Sequence, residues 1–423
     1  MSTFYIETFG CKFNQTDSEL IKRILKNNNF QEATEKVADF IILNSCGVVE
    51  RTEKNIIKRI QEIKKKGNKK IILAGCLPII KPNISKENID GIIGPKNILE
   101  LPKVIKTILK GKKFFLIKKR KLDKAKMKSF YIPQNTVYAI IPISEGCISN
   151  CSYCATKLAR GNLESFDKKA ILKNIKTVLN MGVKEIQLTS QDLTAYGFEK
   201  WKFQLPDLLK EIVSLKGDFK IRLGMANPLT AKKIINELIS IMKSKKIYKF
   251  LHLPVQSGNN EVLKMMNRNY LVDDFLSIVE KFRKNFKDTI LATDIICGFP
   301  QEKEEEFKDT LSLIEKIKPE ILHIFKYSKR SGTKAEKLKD FPNRIKKERS
   351  RKLTRLWTDI NLRKNKKLIG KKYQVLVTEK RENSFLARTN SYRAVILKDA
   401  KLGEYFNVKI INAKVNYLIG KIV

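Results

Sequence analysis

"VYAIIPISEGCISNCSYC", residues 137–154, carries an apolar run straight into a loop holding three cysteines. Its first seven residues have the length and the Val/Ile content of a buried β-strand. Cys147, Cys151 and Cys154 then follow in the spacing C-x3-C-x2-C. Five further stretches read as strands: "KEIQLTS" (184–190), "FKIRLGM" (219–225), "YKFLHLP" (248–254), "TILATDIIC" (289–297) and "ILHIFKYS" (321–328). Helix-period segments such as "KKAILKNIKTVLNMG" and "LTAKKIINELISIMKS" separate them. Six strands with right-handed helical crossovers predict a curved parallel sheet, a partial (β/α)6 barrel, over 136–342. Functional groups gather where such strands end, and the first cysteine lies a few residues past the first strand.

The flanks read differently. Residues 1–111 alternate short apolar runs ("TFYIETF", "DFIILNS", "KIILAG") with helical patterns ("DSELIKRILKNN", "EKNIIKRIQEIKKK"), which predicts a small parallel α/β sheet. Residues 112–135 read as a basic linker with room for one strand in "KFFLIKK", and 343–368 as a basic helical connection. From 369 to 423 short alternating strands with polar turns predict a small β-barrel. The fold class is therefore α/β, in three domains, a number the 423 residues can support.

Charge narrows the partner. Against 44 acidic residues stand 86 Lys and Arg, a formal net charge of +42. Such an excess suits a polyanion, nucleic acid above all, while a general bias towards Lys, Ile and Asn accounts for it equally. Its distribution says more: residues 112–128 carry nine basic side chains and one acidic, and 344–372 are similarly loaded. No signal pattern opens the chain and no apolar run nears the ~20 residues of a spanning helix. A cytoplasmic, monomeric protein without a membrane segment is expected. Seven cysteines, six of them in two groups of three, suit metal-bound thiolates better than disulfides.

The second group is dispersed. Cys11 follows "ETFG", Cys46 follows "IILNS" and Cys76 follows "IILAG", each at the carboxyl end of an expected parallel strand, so all three should meet at one sheet edge. Tetrahedral zinc and most iron–sulfur sites take four side-chain ligands, and each triplet offers three. His252 and His323 are the sole histidines, and each sits inside a barrel-strand pattern, placed to line the barrel. One open iron in each cluster is the remaining explanation, against a zinc knuckle lacking its last ligand. Cys297 belongs to neither triplet and reads as a buried structural residue.

"CISNCSYC" resembles the cluster motif of radical S-adenosylmethionine (SAM) enzymes. With "GCKFNQTDSE" (10–19), "NSCGVV" (44–49), "AGCLP" (74–78), "LTSQD" (188–192), "LPVQSGNNEVLKMMNR" (253–268), "TDIICGFPQE" (293–302) and "YSKRSGTKA" (327–335), the whole chain resembles the methylthiotransferases. Gly47 departs from the Thr or Ala of many relatives. The resemblance implies two [4Fe-4S] clusters, one on Cys147, Cys151 and Cys154 and one on Cys11, Cys46 and Cys76, with SAM as cofactor. It implies that Tyr153, Gln191, Asp192 and Gln256 contact SAM, and that a ferredoxin or flavodoxin supplies electrons. It implies a two-stage reaction: methylation of a cluster-held sulfur, then radical activation of a substrate C–H bond. The last domain resembles the RNA-binding TRAM barrel, with Arg388, Arg393, Phe385 and Tyr392 as expected RNA contacts. "CSYCATKLARGNLESF" and "ARTNSYRAVIL" are most similar to the archaeal and eukaryotic branch acting on N6-threonylcarbamoyladenosine-37 of tRNA. Isopentenyladenosine-37, a ribosomal-protein aspartate, or a non-catalytic RNA-binding metalloprotein are the alternatives. Eukaryotic members often add a C-terminal anchor, whereas "YLIGKIV" is too short to span a bilayer.

Overall fold

The computed structural model of the protein describes residues 2–67, 69–86, 88–118, 125–128 and 137–423. Its N-terminal sheet has six parallel strands in the order Gln31–Glu32, Thr3–Thr8, Phe40–Ser45, Lys70–Gly75, Gly91–Ile93, Phe114–Leu116. Phe40–Ser45 is buried at every position, as a strand covered on both faces must be. Phe4, Phe40 and Ile42 pack with Leu20 and Ile24 of the helix Lys12–Asn27 on one face. Ile41 and Leu43 pack with Ile56 and Ile60 of the helix Glu50–Lys65 on the other. Sequence periodicity shows three of these strands. The other three are two or three residues long, too short to display alternation. Phe114–Leu116 is the strand for which "KFFLIKK" in the basic linker gave room; it pairs with Gly91–Ile93, so the chain leaves this sheet only after Leu116 and not at 111. Positions 119–124 and 129–136 of that linker lie outside the described residues.

The central barrel strands are Tyr138–Pro142, Glu185–Thr189, Lys220–Arg222, Phe250–His252, Ile290–Cys297 and Ile321–Lys326. They form two three-stranded parallel sheets, joined by single bridges between Ile221 and Ile247 and between Met225 and His252. The result is an open six-strand barrel in chain order. Ile186, Leu188, Ile221, Leu251, Leu291 and Ile295 face outward into one core with the surrounding helices. Strand alternation turns Gln187, Arg222, His252, Asp294 and His323 inward, towards the lumen.

Both free edges of the open barrel are covered. The helix Lys12–Asn27 lies along the first strand, and the helix Asn343–Lys366 along the last, burying Leu353, Trp357 and Ile360. Not all of the basic charge in that last helix is free. Lys346 pairs with Asp340 at 2.8 Å and Arg349 with Glu302 at 2.6 Å.

The C-terminal strands Lys372–Arg381, Ser384–Thr389, Ala394–Leu397, Leu418–Ile422 and Tyr405–Ala413 close into a barrel in that spatial order. Asn361 and Asn365 of the long helix donate to the Val415 carbonyl and tie this barrel to the core. Its turn at 390–392 enters the amino-terminal end of the central barrel. There Tyr392 meets Tyr248 and Phe250 at ring distances of 4.9 and 5.2 Å.

Candidate active site

The central cysteine loop springs from two short antiparallel strands, Ser144–Glu145 and Glu164–Ser165. Its neck is fixed at Gly146, whose φ is +84° and whose place leaves no room for a side chain. A Cβ there would lie 2.0 Å from the Asn162 carbonyl oxygen. The Gly146 N–H donates to Gln191 Oε1 at 2.7 Å. Beyond this neck the three cysteines come close together: burial and, less, the charge of the neighbouring thiols raise Cys147 and Cys154. Burial pushes Cys147 up to about 11 and Cys154 in the same direction. The Ser149 N–H points at Cys147 Sγ at 3.4 Å, and Arg268 Nη1 lies 3.3 Å from Cys151 Sγ. Donors aimed at sulfur favour thiolate and stiffen a cluster ligand.

The second triplet also assembles. Thr8 pairs with Asn44 and Ser45 with Gly75, so Cys11, Cys46 and Cys76 leave three adjacent strands at one edge. Gly10, at φ +100°, packs so tightly that a Cβ would lie 2.5 Å from Cys46 Cβ. Burial raises Cys46 and takes Cys76 up to about 12, with mutual cysteine charge adding to both. Each donor set is thus three cysteines gathered on one loop or at one sheet edge, a set that suits an iron–sulfur cube with one iron free of protein ligands. Neither histidine completes them. His252 bonds Asp294 at 2.9 Å, and His323 joins that pair within the barrel.

The two sulfur sites face each other across a domain boundary. Cys76 and Ile80 pack against Ala155 and Ala159, just past the central triplet. Arg160, 1% exposed, reaches Asp17 at 2.7 Å, Glu145 at 2.9 Å and Asn14 at 2.9 Å. Lys126 completes a buried quartet, 2.9 Å from both Asp17 and Glu145. On the other side Arg330, after the last barrel strand, holds Glu53 at 2.6 Å and the Val48 carbonyl at 3.2 Å. Sequence reading singled out none of these residues. Arg160 and Lys126 stand in basic stretches that look solvated, and their partners lie over a hundred positions away or behind a linker.

The residues expected to contact SAM share the rim, with different degrees of freedom. Asp192 is fully buried, accepts from the Thr194 N–H and hydroxyl and from Thr230, and is pushed up to about 6 by burial. Gln191 is engaged at Gly146. Gln256 has a left-handed backbone, φ +77°, and its N–H donates to the Asp294 carbonyl. Tyr153 packs against Val262, Met266 and Phe299. A groove beside the loop is lined by Ser149, Cys151, Asn227, Asn267, Arg268 and Tyr270. Arg268 and Asn227 went unnoticed in the sequence, where Arg268 merely ends the run "NEVLKMMNR".

The four residues expected to touch RNA make contacts within the fold. Tyr392 fills the barrel floor, Arg388 lies 4.4 Å over its ring, and Arg393 bonds Asn365 at 2.9 Å. Phe385 packs against the terminal barrel's core. Cys297 is fully buried, its thiol towards the Phe325 carbonyl at 3.4 Å, as a structural residue would be.

Comparison with known proteins agrees with this geometry. Residues 141–314 match the Radical SAM superfamily, 3–94 the Uncharacterized protein family UPF0004, and 366–423 the TRAM domain. A protein of Archaeoglobus fulgidus named "Probable threonylcarbamoyladenosine tRNA methylthiotransferase" is 45% identical over 99% of this chain and 98% of its own length. The human "Threonylcarbamoyladenosine tRNA methylthiotransferase" is 35% identical over 99% of this chain and 73% of its own length. A Caldicellulosiruptor saccharolyticus protein named "tRNA-2-methylthio-N(6)-dimethylallyladenosine synthase" is 33% identical, covering all of this chain and 92% of its own length. Among solved structures, the radical S-adenosylmethionine methyltransferase TsrM of Kitasatospora setae superposes with a TM-score of 0.57 at 12% identity, over 79% of this chain and 77% of that one, a likeness of fold. With its three domains and two sulfur triplets, the chain belongs to the threonylcarbamoyladenosine tRNA methylthiotransferase family of radical SAM enzymes.

Proposed function

We propose that this protein adds a methylthio group to C2 of N6-threonylcarbamoyladenosine at position 37 of tRNA. The observation that carries the reading is the pair of three-sulfur sites clamped face to face by Arg160 and Arg330. Cys147, Cys151 and Cys154 would hold one [4Fe-4S] cluster and Cys11, Cys46 and Cys76 a second. When bound, the clusters and SAM supply one-electron chemistry and a methyl-bearing sulfur, which an inert aromatic C–H bond requires and side-chain acids and bases cannot provide.

The chain's own groups position and shield. Gln191 and Gly146 fix the neck of the central loop, and Arg268 and Ser149 direct N–H groups at its sulfurs. Tyr153, Gln191, Asp192 and Gln256 supply the rim for SAM, with the Arg268 groove beside it. Tyr392, Tyr248 and Phe250 stopper the far end of the lumen against water. Residues 1–111 serve as the second-cluster domain, 136–342 as the radical core and 369–423 as the RNA module, acting as a cytoplasmic monomer with a ferredoxin or flavodoxin as donor.

RNA engagement by the terminal barrel has support in its outer face. Lys409 pairs in register with Lys372 on one side and Lys421 on the other, and all three are exposed. Like charges directly opposite across strands destabilise a sheet, so three in a row suit a phosphate-bearing partner.

The test is anaerobic reconstitution with SAM, reductant and tRNA bearing threonylcarbamoyladenosine, followed by mass spectrometry of the digested nucleosides. A product heavier by a methylthio group in place of hydrogen supports the reading. Iron near eight per chain, falling to about four when Cys11, Cys46 and Cys76 become Ala, supports two cubes. Unchanged tRNA with a modified ribosomal-protein aspartate overturns the substrate, and zinc without iron overturns the chemistry.

A further inference from the structure

Beneath the rim the lumen narrows to a polar layer that no step above uses. Gln187 stands opposite Arg222 and Asp294 opposite His323 in the strand registers, and His252 is bridged from Met225. One donor atom from each of His252, Asp294 and His323 lies within 4.8 Å of the others, and the two imidazoles are 5.6 Å apart. Arg222 lies 4.8 Å over Phe250 and 5.3 Å over Tyr392, on the aromatic floor.

Arg222 is a half-buried cation whose guanidinium lies against these rings. Among the described residues no carboxylate forms an ion pair with it, although Glu185 is near enough to feel its charge. Glu185 is engaged elsewhere, accepting from Tyr248 Oη at 2.8 Å and Gln187 Nε2 at 2.6 Å. His323 is exposed, so the layer can be reached from solvent. A guanidinium held away from water without an anion is costly, and carboxylate is the planar partner its fork fits.

We propose that Arg222, with His323 and the His252–Asp294 pair, is the subsite for the carboxylate-bearing N6 side chain of the substrate nucleoside, and that it sets preference for that nucleoside over alkylated or unmodified adenosine. This rests on the function proposed above. The threonylcarbamoyl group carries a carboxylate, a hydroxyl and a urea, enough polar atoms to satisfy this layer. In the purine, C2 and C6 flank N1, so a base presenting C2 at the cysteine rim sends its N6 group down the lumen. Gln187 lies on the strand Glu185–Thr189 and Gln191 two residues past its end, a span of up to about 13 Å at strand rise, deep enough for a purine edge with its extended substituent. An isopentenyl group would give Arg222 and His323 no polar partner and leave only the His252–Asp294 pair satisfied. A site built for polar partners discriminates strongly against a substrate lacking them.

The test uses reconstituted holoenzyme and three anticodon stem-loop RNAs, bearing threonylcarbamoyladenosine, isopentenyladenosine or adenosine at position 37. Competition kcat/KM and equilibrium binding are measured for wild type, Arg222→Met, His323→Leu and the charge-keeping Arg222→Lys. Iron content and melting temperature of each variant report its folding. Wild type should favour the threonylcarbamoyl loop by roughly 10⁴-fold, Arg222→Met should bring the three loops within about tenfold, and Arg222→Lys should fall between. A wild type that modifies no threonylcarbamoyl loop overturns the function itself. A wild-type preference that survives intact in Arg222→Met and His323→Leu, both folded and iron-loaded, overturns the subsite alone. So does one tightly bound zinc, manganese or extra iron per chain that disappears in His323→Leu, because the His–Asp–His set would then be a metal site.

Discussion

Replacing Arg160 by Met tests how the two sulfur sites are held together. In the native protein two carboxylates, Asp17 and Glu145, face two cations, Arg160 and Lys126, in a space closed to water. The variant leaves both carboxylates sharing Lys126 alone, while Met fills much of the volume over the Phe13 ring that the guanidinium covers at 4.3 Å. Breaking a buried ion network from one side costs about 3–5 kcal/mol, mainly because a charge is stranded. For domains of this size that corresponds to a melting temperature lower by roughly 10 °C. The assay is urea and thermal unfolding by circular dichroism, run on Arg160→Met, Asp17→Asn and the double variant. Adding Asp17→Asn to Arg160→Met removes the stranded charge and restores a one-to-one Glu145–Lys126 pair, so about half the loss should return. In turnover, methylthiolated nucleoside should fall further than cleavage of SAM, since in the function proposed here the cleavage uses only the central site. An Arg160→Met protein within 1 kcal/mol of wild type, or a double variant less stable than the single, would refute the reasoning.

Changing Lys372, Lys409 and Lys421 together to Glu should weaken tRNA binding and flatten its salt dependence by close to three units of log K per log salt, leaving the melting temperature level or slightly higher; an unchanged salt slope removes RNA from that face. Gly146→Ala should cost at least about 2 kcal/mol and abolish iron binding by the central triplet, because its Cβ meets the Asn162 carbonyl; full iron content by ferrozine assay would contradict this. Asp192 binds its proton more tightly folded than unfolded, so its contribution to stability is present below pH ~4 and is lost as pH rises through about 6. Denaturant titrations across pH 4–6 should therefore show wild type losing about 1–3 kcal/mol that Asp192→Asn does not lose, and parallel curves would exclude the effect.

Much of this architecture is legible in the linear chain. The C-x3-C-x2-C loop, the three dispersed cysteines each ending a strand, and the alternation of six barrel strands are local patterns, and local patterns are what a linear chain displays. The strands at 31–32 and 91–93 were hidden by their shortness, whereas the one at 114–116 lies where "KFFLIKK" gave room for it. The Arg268 contact to Cys151 joins residues 117 positions apart, which spacing cannot reveal.

The chain by itself sorted six cysteines into two candidate sets, because one set shares a short loop and each member of the other follows the carboxyl end of a strand. Tertiary structure decided how the sites relate. Arg160 finds Asp17 across 143 positions and Arg330 finds Glu53 across 277, pairings that no periodicity encodes. It also turned Tyr392 and Arg388 from expected RNA contacts into the stopper of the barrel. An aromatic ring beside a cation has the same sequence signature on a surface as in a floor, and the packing of one domain against another determines which it becomes.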